Sequence, residues 1–135
     1  MTPELHTARA ARILRSAAKL SRADYEMRIE AAMLAGTQLL NVELHQLALT
    51  APSEDTMHAE YLHGPARIKA DLLAPGLVDL LLQIEMLRPG YVRGDFPKGE
   101  EAGARAMDLL QQMQRRVCGL ADSTHSDMDA GADKR

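Results

Sequence analysis

"YEMRIEAAMLAGTQLLNVELHQL", residues 25–47, decides the fold. Tyr25, Ile29, Met33, Gly36, Leu40, Leu44 and Leu47 recur at steps of three and four, the spacing of one apolar helical stripe. Ala31, Ala35 and Val42 make the other side of this helix apolar as well, which places it at the centre of a bundle. Gly36 costs about 1 kcal/mol against alanine in a helix interior, so its place in the stripe predicts a close approach by a neighbouring helix.

The flanking segments repeat the helical period. Thr2-Pro3-Glu4 offers a capping hydroxyl, a proline suited to the first helical position and an acid at the positive dipole end. The first helix should run to about Leu20, with Ile13, Leu14, Ala17 and Leu20 on one side. Ser21 followed three residues later by Asp24 reads as a variant capping box opening the long helix. Thr50-Ala51-Pro52 ends that helix, and Ser53 starts a short one that Gly64-Pro65 stops. Further helices are expected over 65–73 and from Leu77 until Arg88-Pro89-Gly90 closes the piece. Residues 89–99, "PGYVRGDFPKG", read as a loop with Tyr91 and Phe96 as anchors. Glu100 and Glu101 open a last helix in which Ala106, Leu110, Met113, Val117 and Leu120 step by four and three, ending near 119–121. The expected architecture is all-α, an up-and-down bundle of four to six helices over 1–121, followed by a polar, disordered tail over 122–135.

Composition agrees. With one Phe, three Tyr and no Trp in 135 residues, strand-favouring aromatics are nearly absent. The lone Cys118 excludes an intramolecular disulfide and a zinc ribbon, and is expected to be a small buried or half-buried apolar residue. No signal-peptide order and no run of about 20 apolar residues is present, so the expected location is cytoplasmic, away from membranes. A net charge of -3 argues against general nucleic-acid binding. The charge is uneven, however: Arg9, Arg12, Arg15, Lys19 and Arg22 stand against Glu4 alone in the first 22 residues. That basic face would steer RNA or an acidic partner, or simply be solvated, and no aromatic is interleaved for base stacking.

"HAEYLH", residues 58–63, concentrates two of the five histidines. On a helix His58 and His63 would lie about 140° apart, so they do not chelate together. Glu60 and His63 have Glu-x-x-His spacing, which with Glu43, and less well Glu85, would form an interhelical metal site; a di-iron centre needs a second such motif. The blander reading has His63 at a helix C-terminus, favourable to the dipole, and His58 exposed. No P-loop, G-x-G-x-x-G or G-x-S-x-G pattern occurs, so no cofactor is expected.

The order of a basic first helix, "RIEAAMLAGTQLL" (28–40), "LLLQIEMLRPGY" (80–91), a loop and "EEAGARAMDLLQQMQ" (100–114) resembles the HEPN domains, small helical bundles of higher eukaryotes and prokaryotes. The likeness covers about residues 5–120, without the paired tyrosines often found in that family's second helix. Many HEPN proteins are ribonucleases with an Arg-x4-6-His motif, and no arginine here stands at that spacing before any histidine. The resemblance therefore implies a noncatalytic interaction subunit, a homodimer that partners another protein such as a nucleotidyltransferase, with Arg88, Tyr91 and Arg93 near a shared cleft or dimer seam. A rival of the same fold is an RNA-processing enzyme with a displaced site using Arg88, Arg93 or a histidine from another helix.

Overall fold

The computed structural model describes the backbone of residues 1–132 and side chains through residue 119. Among the described residues six helices follow one another: α1 (Pro3–Ala17), α2 (Tyr25–Gln46), α3 (Gly64–Leu73), α4 (Leu77–Glu85), the single turn α5 (Arg88–Tyr91) and α6 (Gly99–Ala132), with a 3-10 turn at Ala59–Tyr61. No strand occurs among the described residues.

The long apolar segment takes the central place that its two apolar sides demand, with α1, α4 and α6 all packed on α2. Ile29, Leu40 and Leu44 on α2, Leu77, Leu81 and Ile84 on α4, and Leu110 and Met113 on α6 are almost wholly buried, each stabilising the fold by about 1.5–3 kcal/mol. Helix directions follow from the pairings. His6 near the start of α1 meets Gln38 late in α2, so these neighbours are antiparallel. Leu81 meets Gly36 and Arg88 meets Glu30, so α4 runs against α2, while Arg105 meets Gln83 and α6 runs against α4. The four main helices thus alternate in direction, an up-and-down bundle with α3 held at the edge mainly by α4.

Gly36 does what its position predicts. A Cβ built there would stand 3.0 Å from Leu81 Cδ1 and 3.2 Å from Met113 Sδ, so the glycine is where α4 and α6 both close on α2.

Several local expectations are corrected. The α1–α2 hairpin is looser than read: α1 ends at Ala17 and α2 begins at Tyr25 with Asp24 as its N-cap. The Ser21–Asp24 contact forms nevertheless, with Asp24 Oδ2 accepting from the Ser21 amide at 2.9 Å and from its hydroxyl at 3.0 Å, inside the turn rather than across a helix start. The short helix expected from Ser53 reduces to the 3-10 turn, because side chains satisfy this backbone instead. Asn41 brackets Thr56, accepting from its amide and donating to its carbonyl at 2.8 Å each, and Glu85 accepts from the Ala59 amide at 2.9 Å. The helix from Leu77 does close before Arg88-Pro89-Gly90, but the loop expected from Pro89 begins with the turn α5, since Pro89 occupies a first-turn position where no amide is needed. Finally, α6 is traced through Ala132 where its end was expected near 119–121, with no proline in that stretch to stop it. The disordered-tail reading of 122–135 and the burial of Leu120 fall outside the residues whose side chains are described. Cys118 is exposed rather than buried.

Candidate functional site

Two polar assemblies sit against α2, one at its C-terminal end and one beside its N-terminal half. The first joins three distant segments. The side chain of Asp55, on the loop after α2, meets His6 of α1 and His45 of the last α2 turn. Its Oδ1 lies 2.9 Å from His6 Nε2 and 2.8 Å from His45 Nε2. The opposite ring nitrogens also face oxygens: His6 Nδ1 is 2.6 Å from Gln38 Oε1, and His45 Nδ1 is 2.8 Å from Thr50 Oγ1 and 3.3 Å from the Thr50 carbonyl. The Met1 ammonium donates to both carboxylate oxygens, at 3.1 and 3.2 Å, and to the Pro52 carbonyl.

Both imidazoles are buried, whereas the Asp55 side chain keeps 29% of its surface open. Partial burial pushes the Asp55 carboxyl up, but the hydrogen bonds from His6, His45 and the terminal ammonium outweigh it and hold the group down at about 2. Among the described residues this is the one group of three whose ligand atoms lie close enough to share a metal ion.

The second assembly is a cleft of about 530 Å³ carrying His58, Glu60, Glu85, Arg88 and Arg93, with Met33, Leu82 and Met86 as apolar wall. His58 Nδ1 stands 3.6 Å from Glu85 Oε1, an electrostatic rather than a hydrogen-bonding distance, and its ring meets Tyr61 edge to face. Arg88 Nε donates to Glu30 Oε1 at 2.7 Å, which fixes that guanidinium against α2. A neighbouring groove of about 390 Å³ runs between α1 and α2 and is lined by Arg12, Ile13, Leu20, Met27, Glu30 and Leu34, so Glu30 belongs to the wall of one and the anchor of the other.

Arg88 and Arg93 therefore do come together in a cleft, while Tyr91 packs edge to face on Phe96 at 5.6 Å and is not among the cleft residues. The trio Glu43, Glu60 and His63 does not converge. Glu43 is buried in α2, its carboxyl pushed up by burial; Glu60 sits on the 3-10 turn in the cleft; and His63 is exposed. Because residues 54–58 belong to no helix, His63 precedes α3 as its N-cap rather than ending a helix. His58 is half-buried, not free on the surface. Arg9, Arg12, Arg15, Lys19 and Arg22 are all exposed as expected, and Arg22 reaches Glu100 at 3.4 Å.

No protein-family model, curated protein or solved structure matches the chain. The HEPN likeness accordingly rests on the sequence pattern alone. No helix among the described residues is long and apolar enough to cross a membrane.

Proposed function

We propose that the chain is a noncatalytic interaction subunit of HEPN-like type that pairs with a second copy of itself through the α1–α2 groove. The observation that carries this reading is a seam left open on the central helix. Met27, Ala31 and Leu34 follow one another at steps of four and three, and Met27 and Leu34 are 54% and 49% exposed beside Ile13 and Leu20. Arg12 and Glu30 flank the seam with opposite charges, so one patch carries both halves of a self-complementary contact. The Glu30–Arg88 pair would then set each cleft beside the seam, the arrangement that the HEPN likeness implies for Arg88. Light scattering tests the reading. A dimer is expected for the native chain and a monomer of unchanged helical content for Met27→Glu with Leu34→Glu; a monomeric native chain overturns it.

One observation favours a second reading, in which the cleft handles a phosphate ester. His58 and Glu85 stand 3.6 Å apart as a candidate acid–base couple, and Arg88 and Arg93 share the cleft with them and with Glu60. Cleavage of RNA that falls on the order of 100-fold in His58→Ala would support it. A native chain that leaves structured and single-stranded RNA intact removes it.

A further inference from the structure

We infer that His6, His45 and Asp55 form a binding site for one divalent transition-metal ion, zinc by ligand preference. Both ring nitrogens of His6 have polar partners, the Gln38 amide at 2.6 Å, which can present either its oxygen or its NH2, and Asp55 Oδ1 at 2.9 Å. His45 is similarly enclosed between Thr50 and Asp55. Both Nε2 atoms point at the same carboxylate oxygen, so two ring nitrogens and Asp55 Oδ1 converge on one point, where a bound metal ion would take the place of the Nε2 protons.

The outer contacts are those a metal site needs. A ligating histidine donates its other N–H to a carbonyl or hydroxyl, which fixes the tautomer and aims the free nitrogen at the metal. Gln38 serves His6 in this way and Thr50 serves His45. With bonds of about 2.0–2.2 Å, neighbouring ligand atoms stand about 3–3.5 Å apart, so the 2.8 and 2.9 Å separations must widen by a few tenths of an ångström while the two Nε2 atoms, within 4.8 Å of each other, settle to the same spacing. Asp55 can supply part of that movement, since it lies outside any helix while the two rings are held in helices. Two imidazoles and one carboxylate suit zinc and its neighbours better than magnesium or calcium. The open flank of Asp55 leaves a fourth position for water. The Met1 ammonium, 3.1 Å from the same oxygen, is the ion's competitor for the carboxylate.

The test uses the full chain without a polyhistidine tag, stripped with a chelator and titrated with zinc chloride against a chromophoric chelator. One equivalent is expected to bind. His45→Ala and His6→Ala should each lower affinity by roughly 100-fold, and Gln38→Ala, which touches no metal, by roughly tenfold through the freed His6 ring. Substituting His58 and His63 together by alanine should leave the affinity unchanged. Circular dichroism checks that each variant is folded, and Gln38→Ala keeps the test decisive if a histidine variant is not. Native protein that binds no more tightly than His45→Ala, or binding that follows His58 and His63, overturns the inference and leaves the cluster a hydrogen-bonded staple. The mass of the zinc-free protein reads the proposed dimer separately, so failure of one does not mimic failure of the other.

Discussion

The two ends of α2 hold polar side chains in opposite ways. At the N-terminal end the contacts reach solvent: Asp24 holds Ser21 in an exposed turn, and Glu30 and Arg88 pair half-buried at the surface, keeping 24% and 21% of their side-chain area. At the C-terminal end, His6 and His45 are buried and their nitrogens are answered by Asp55, Gln38 and Thr50. An exposed pair exchanges one solvated arrangement for another and gains little. A buried ring nitrogen has no water to return to, so losing its partner costs its full desolvation. The open end is therefore suited to association, and the closed end to holding a fixed geometry.

Breaking what both ends share should have the largest effect. Leu40 is 1% exposed midway between them, and Leu40→Ala is expected to cost about 2–5 kcal/mol in urea unfolding, through lost burial and the cavity left behind. Signals from the two ends should still be lost in one transition; two separate transitions would mean that α2 does not couple them. The next step sharpens the contrast. In zinc-free protein, Asp55→Ala strands two buried nitrogens and is expected to cost about 1–3 kcal/mol, whereas Glu30→Ala at the open end should cost no more than about 1 kcal/mol. Equal costs for the two variants would erase the distinction between the ends.

The same contrast explains what the sequence disclosed. The central helix, its apolar stripe and the role of Gly36 were legible because each depends on neighbours three or four positions away, and burial then follows from period alone. Ser21 with Asp24 was legible for the same reason, although it closes a turn rather than opening a helix. The buried cluster was not, because His6 and Asp55 lie 49 positions apart and only the α1–α2 packing brings them together. A signal did exist in part: His45 falls on the apolar side of α2, beside Leu44, where an unpaired imidazole would be costly and so needs a partner. The Glu60–His63 spacing presupposes helix over 53–63, where Asn41 and Glu85 instead bond the backbone of a loop with a 3-10 turn at Ala59–Tyr61. The meeting of Arg88 and Arg93, the residues of the HEPN likeness, with His58 depends on that same loop.

The smallest expected effect lies at the open end and has a definite sign with pH. Asp24 accepts from the Ser21 amide and hydroxyl, and these bonds hold its carboxyl below the ordinary 3.8. A carboxyl lowered by folding is charged in the native state while the unfolded chain begins to take up protons. Its contribution is thus fully present above pH 3.8 and is lost as pH falls through the lower folded value. Asp24→Asn should therefore be slightly less stable than the native chain at neutral pH, with the gap closing in acid. The direction matters more than the size, because a fully solvated carboxylate is screened and its turn can rearrange. A gap that widened in acid would mean that the protonated form of Asp24 is the one the turn prefers. The α1–α2 hairpin would then be held by packing of Leu20 and Met27 rather than by its turn, and the open end would owe its shape to the seam proposed for pairing.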